Sequence, residues 1–141
     1  MKIGLLMAAL PLGLLRLAPA EAARCSPEQA EAADGLIDQL DNWAKVQAIY
    51  QQYGGCDEGD IAEGISAGVA RLLVDQWGLL PQLAKLSKGD PALERFVLAH
   101  VDATVDAKDL QQIALLAGEA CPPESAALCA KLVVAARHAA K

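Results

Sequence analysis

Apolar residues recur at steps of three and four along most of this chain, the spacing that lines one face of a helix. Leu36, Leu40, Trp43, Val46, Tyr50 and Tyr53 form the first such series. It opens at Ser26-Pro27-Glu28-Gln29, with serine as N-cap, proline at the first helical position and glutamine three after the cap. Gly54-Gly55 ends it. Ile61, Ile65, Val69, Leu72, Leu73 and Trp77 follow, starting in Asp57-Glu58-Gly59-Asp60 and stopping at Gly78. Pro81 restarts a short helix through Leu83 and Leu86 to Gly89, and Asp90-Pro91 caps another that carries Leu93, Phe96, Val97 and Val101. Asp106 caps a run with Leu110, Ile113, Leu116 and Ala117, closed near Gly118. Pro122-Pro123 opens the last, with Leu128, Leu132 and Ala135 inward and Lys131, Arg137 and Lys141 towards its C-terminal end, where cations suit the helix dipole. No stretch alternates apolar and polar residues like a half-buried strand. The pattern predicts an all-α fold, a compact bundle of five or six helices with short corners.

Composition agrees. Alanine supplies 29 of 141 residues and threonine one, Thr104, a skew towards helix. That length is one domain. The first twenty residues read as an address: the basic Met1-Lys2, an apolar run from Ile3 to Leu15, and the small-residue site Ala18-Pro19-Ala20. A cut after Ala22 fits the same rule. The apolar run is shorter than the roughly 20 residues that span a bilayer, and Arg24 before Cys25 argues against lipid attachment. Residues 1–20 are therefore expected to be a cleaved signal peptide and 21–141 a single exported helical domain, periplasmic in a bacterium, with no membrane association after cleavage. Removing the leader takes Lys2 and Arg16, which shifts the formal charge from −6 to −8.

Cys25, Cys56, Cys121 and Cys129 all lie in the exported part, and an even count in an oxidising compartment reads as two disulfides. No C-x-x-C occurs and no zinc spacing is met, so no metal is expected. Cys121 and Cys129 flank Pro122-Pro123 and can face each other across a helix–helix corner. Cys25 and Cys56 would stand more than about 40 Å apart on an unbroken helix, so their pairing requires a break, for which Asp34-Gly35 offers a place. The favoured pairing is Cys25–Cys56 with Cys121–Cys129.

Candidate chemistry is thin. Gly64-Ile65-Ser66-Ala67-Gly68 matches the G-x-S-x-G of serine hydrolases, with His100 downstream, but that chemistry needs a strand-to-helix turn and here the motif falls mid-helix. Gly64 and Gly68 read instead as small residues that let a neighbouring helix approach. His100 and Asp102, two apart, would point to different sides of a helix, so His100 is expected to be a hydrogen-bonded structural residue, with an enzyme using His100 as the minor alternative. No catalytic residue and no cofactor are expected. Asp57, Glu58, Asp60 and Glu63 form the densest acidic cluster; it is too short for a twelve-residue calcium loop, and acids at a helix N-terminus stabilise it regardless.

Charge distribution says more. Cys25 to Glu63 holds nine acids and one base, Lys45, whereas Lys131 to Lys141 holds three bases and no acid. Such acidity disfavours nucleic acid or an anionic membrane and suits a basic protein partner. The run Tyr53-Gly54-Gly55-Cys56-Asp57-Glu58-Gly59-Asp60-Ile61-Ala62-Glu63-Gly64-Ile65-Ser66, with Arg71-Leu72-Leu73, Trp77, the segment Phe96 to Thr104 and the cysteines around Pro122, resembles small exported proteobacterial helical proteins. In format these resemble the immunity proteins that neutralise peptidoglycan-degrading toxins of type VI or related secretion systems. The resemblance implies a periplasmic inhibitor that blocks a basic toxin or wall hydrolase by direct contact; it assigns no contact residue, and the charge distribution points to Asp57, Glu58, Asp60 and Glu63, with Asp38 and Asp41 on the preceding helix. A homodimer is a second arrangement this reading admits. The alternative role is a general periplasmic helical chaperone or envelope stress and assembly factor.

Overall fold

A computed structural model describes residues 24–141; the leader expected over 1–20 lies outside them. Among the described residues there are seven α-helices and no strand: α1 (Pro27–Ile37), α2 (Trp43–Tyr53), α3 (Gly59–Asp75), α4 (Leu80–Gly89), α5 (Pro91–Ala99), α6 (Ala107–Glu119) and α7 (Ala126–Ala139). Single 3-10 turns at Gly54–Cys56, Trp77–Leu79 and Pro123–Ser125 fill three of the corners. The fold is all-α as the periodicity requires, with one helix more than the upper expected number.

The extra helix comes from the first series, which divides into α1 and α2. The break is not at Asp34-Gly35, which continues as helix; it lies beyond Ile37. Asp38 closes α1, its amide donating to the Leu36 carbonyl, and Asn42 opens α2, its side chain accepting from the Lys45 amide. The Gln82 side chain on α4 takes the Trp43 amide, a second orphan donor of that helix end. The turn buries Leu40 and Trp43 together and reverses the chain. With the chain folded back, Cys25 meets Cys56, and Cys121 meets Cys129 across the α6–α7 corner, as favoured from the spacing. Two disulfides fit an oxidising environment outside the reducing cytosol. No described helix is long and apolar enough to cross a membrane.

Starts read from sequence are present in atomic detail. Ser26 and Gln29 form a reciprocal capping box. Asp90 caps α5 through the Leu93 amide and Asp106 caps α6 through the Lys108 amide. Each such cap contributes about 1 kcal/mol.

The long helix α3 is the spine. Ile65, Val69, Ala70, Leu72 and Leu73 are buried in it, and α1, α2 and α6 pack on it. The α1 contact runs over glycine: a β-carbon on Gly64 would lie 2.8 Å from Ile37 Cδ1, and one on Gly68 2.7 Å from Leu40 Cδ1. The small-residue reading of Gly64 and Gly68 is therefore correct, and α1 approaches α3 more closely than any side chain there would allow. On the other side α6 and α7 form an antiparallel hairpin, joined by the Cys121–Cys129 bond and tied to the α3–α4 corner by the Trp77 indole, which donates to the Ala120 carbonyl at 2.9 Å. On α7 it is Ala136, not Ala135, that is fully buried.

Candidate functional site

Ser66, on the buried side of α3, is 1% exposed, and His100 is 4% exposed. His100 does not continue α5. The helix ends at Ala99, His100 is its C-cap, and the chain turns away through Val101 to Asp106. That turn overturns the expectation that His100 and Asp102 diverge. The rule about residues two apart holds inside a helix, and here the second of them lies past the helix end. Ser66 Oγ is 2.8 Å from His100 Nδ1 and donates to Asp102 Oδ2 at 2.8 Å. His100 Nε2 is 3.1 Å from Asp57 Oδ2, so the imidazole bridges the start of α3 to its middle.

Local structure holds each partner in place. Asp102 Oδ1 accepts from both the amide and the hydroxyl of Thr104, at 2.8 and 2.6 Å, the short-range pattern of an Asx turn. Burial disfavours the charged form of Asp102, but the Thr104 hydroxyl and amide, the Ser66 hydroxyl and the neighbouring imidazole outweigh it and hold the carboxyl below its ordinary value of 3.8. Asp57 follows Cys56, whose disulfide to Cys25 pins this segment against the start of α1. The other Asp57 oxygen, Oδ1, is buried without a hydrogen-bond partner. Phe96 meets the imidazole edge-on at 4.6 Å between ring centres, and Tyr50 on α2 lies against Phe96 at 5.1 Å.

These are the residue types of a serine hydrolase, so access decides what they can do. A nucleophile needs room for a carbonyl about 3 Å from its oxygen. Ser66 sits mid-helix beneath the 100–106 connection and has no such room in this conformation. What the arrangement does is fasten three segments, the start of α3, its middle and the α5–α6 connection, through one polar cluster. Hydrogen bonds between buried side chains hold together the parts they join, here with Asp57 Oδ1 left unpaired.

No protein-family model matches this chain, and no curated protein or solved structure shows significant similarity to it. The site's meaning therefore rests on its own geometry.

The acidic residues named for partner contact divide into three groups. Asp57 is largely turned inward to His100. Glu58, Asp60 and Glu63 are exposed around the start of α3, with Glu58 as its N-cap residue. Asp38 and Asp41 are exposed at the α1–α2 turn and border a cleft of about 200 Å³ with Asp75 and Arg71 of α3. Asp41 also pairs with Lys45 at 2.9 Å; that hydrogen bond, with the Lys45 charge and the Asn42 amide, outweighs the opposing desolvation and holds its carboxyl below the usual range. Asp75, absent from the sequence-based set, joins it only because the end of α3 comes back beside the α1–α2 turn. On α1, Glu28, Glu31 and Asp34 are exposed as well. Among the described residues no group of three or more His, Cys, Asp or Glu side chains is arranged to hold a metal ion.

Proposed function

We propose that the protein is an exported inhibitor that binds a basic protein, of the immunity type that blocks a secreted cell-wall-degrading toxin by direct contact. The observation that supports this reading most is the display of the acids. Glu28, Glu31, Asp34 and Asp38 fall along the exposed side of α1, and Glu58, Asp60 and Glu63 surround the start of α3. Both helices are held rigidly, by the glycine contact between them and by the Cys25–Cys56 bond at their ends.

Rigidity matters because a pre-ordered charged surface loses little side-chain and backbone freedom on binding, and a surface of one sign speeds encounter with a partner of the other. Enzymes that work on an anionic wall polymer are commonly cationic, which makes such an enzyme the natural complement.

The test is co-purification of the disulfide-bonded protein with envelope proteins, followed by titration against any cationic wall hydrolase recovered. Binding should weaken steeply with salt, and the triple reversal Glu58→Lys, Asp60→Lys, Glu63→Lys should weaken it at least about tenfold. Recovery of no hydrolase, together with failure to protect cells from the product of a neighbouring toxin-like gene, would overturn the reading.

A further inference from the structure

The cluster around Ser66 contains three close polar gaps in series: Asp57 Oδ2 to His100 Nε2, His100 Nδ1 to Ser66 Oγ, and Ser66 Oγ to Asp102 Oδ2. Each gap needs one proton to be attractive. A neutral imidazole brings one and the serine hydroxyl brings one, which leaves the series one short. We propose that the Asp57–His100–Ser66–Asp102 chain retains a third proton, shared between His100 Nε2 and Asp57 Oδ2, and acts as a pH-operated latch that holds the 100–106 connection against α3.

With three protons every gap is filled. Nε2 and Asp57 share one, Nδ1 donates to Ser66 Oγ, and the Ser66 hydroxyl donates to Asp102. Remove one and two bare acceptors face each other somewhere in the series. If Ser66 turns its hydroxyl to Nδ1, its oxygen lone pairs confront Asp102 Oδ2 across 2.8 Å. If Ser66 stays and Nδ1 keeps its proton, Nε2 confronts Asp57 with none. The third proton does not reside on Asp102, because the two Thr104 bonds, Ser66 and the imidazole favour its ionised form.

The surroundings offer no substitute for this proton. Asp57 approaches from the segment before α3, Ser66 from α3 itself and Asp102 from the connection. From its own helix Phe96 meets the imidazole, with the Tyr50 ring of α2 behind it. On α7, His138 and, past its end, Lys141 share a cleft of about 480 Å³ with Asp102. Among the described residues no lysine or arginine makes an ion pair with Asp57 or Asp102. Loss of the proton therefore leaves two carboxylates with no ion-pair partner among the lysines and arginines described, and the connection that carries Asp102 loosens about its core anchors Val101 and Val105. Asp57 is then released to the acidic run Glu58, Asp60 and Glu63.

Nitrogen-resolved NMR of the full disulfide-bonded protein tests this directly. At pH about 6, Nδ1 of His100 should carry a proton. Raising the pH to about 9 should lower the hydrogen-exchange protection factors of the Thr104 and Val105 amides by about tenfold, while α6–α7 amides keep theirs. Both amides are bonded within the connection, to Asp102 Oδ1 and to the Asp102 carbonyl. Ser66→Ala should show low protection at both pH values and no step between them. An Nδ1 without a proton at the lower pH, protection that stays level across the range, or a step that survives in Ser66→Ala would each overturn the proposal. The wild-type measurements decide it even if the variant does not fold.

Discussion

Gly64 and Ile37 touch so closely that a β-carbon at residue 64 would stand 2.8 Å from Ile37 Cδ1 and 2.9 Å from its Cγ2. Cγ2 sits on the β-branch, where one χ1 rotamer is strongly preferred, so it cannot swing aside freely, whereas Cδ1 can turn about χ2. Gly68 meets Leu40 in a similar way, but its one severe contact is the terminal Cδ1 at 2.7 Å, on a side chain with more freedom.

Gly64→Ala should therefore destabilise the protein by about 1–2 kcal/mol, overpacking outweighing the helix propensity that alanine gains. Gly68→Ala should cost less. Adding Ile37→Ala to Gly64→Ala should recover part of the loss relative to the sum of the single variants, which denaturant unfolding of all three would show as a favourable coupling.

His100→Ala leaves Asp57 and Ser66 without their shared partner in a buried setting. The expected loss is about 2–4 kcal/mol, combining orphaned polar groups with the vacated ring volume beside Phe96. Ser66→Ala removes the link with almost no change in volume and should cost less, about 1–2 kcal/mol. Equal losses for the two in chemical denaturation would mean the ring volume beside Phe96 adds nothing to the polar chain, and no loss in Ser66→Ala would mean the polar chain contributes little beyond packing.

Asp102→Asn bears on the acid limb of the stability profile. A carboxyl whose folded-state value is lowered stabilises the fold above its unfolded value and loses that contribution as pH falls through the folded one. Asp102 behaves this way, starting from an ordinary value of 3.8. The variant should thus be less stable than wild type near neutral pH, and the gap should narrow as pH falls below the ordinary value of 3.8, measured as Tm against pH.

The disulfides should differ in weight. Cys25–Cys56 joins residues 31 apart and Cys121–Cys129 residues 8 apart. Chain entropy alone assigns them about 3.7 and about 2.5 kcal/mol. Replacing Cys25 and Cys56 by alanine should cost more than this difference suggests, because the segment carrying Asp57 is freed as well. Faster hydrogen exchange around His100 in that double variant, absent when Cys121 and Cys129 are replaced, is the expected signature.

Much of this fold could be read locally. Ser26 with Gln29, Asp90 with Pro91, and Asp106 mark helix starts because their side chains bond amides two or three residues away, an interaction that needs no tertiary context. Gly64 and Gly68 could be assigned to helix packing because their flanking apolar spacing excluded a turn. The Asp34-Gly35 break was misplaced: propensity weakens a helix at glycine but does not end it, and the reversal after Ile37 depends on burying Leu40 and Trp43 and on Gln82 reaching from α4. The Ser66–His100–Asp102 meeting was missed by treating residues 100 and 102 as helical. The Asp-x-Thr of 102–104 was the available signal, since an aspartate that caps the amide two residues on marks a turn.

The sequence alone determined the helical class, the principal caps, the Cys121–Cys129 pairing and the concentration of acid before residue 64, all of which follow from short-range spacing and composition. Only the tertiary structure decided which polar groups meet. Ser66 lies 34 residues from His100 and His100 43 from Asp57. Such contacts depend on where α5 stops and how α1 seats on the α3 glycines, and helical periodicity carries no information about either. The same folding turned Asp57 from one more surface acid into a partner of a buried imidazole, while Asp38 and Asp41 gained Asp75 as a neighbour.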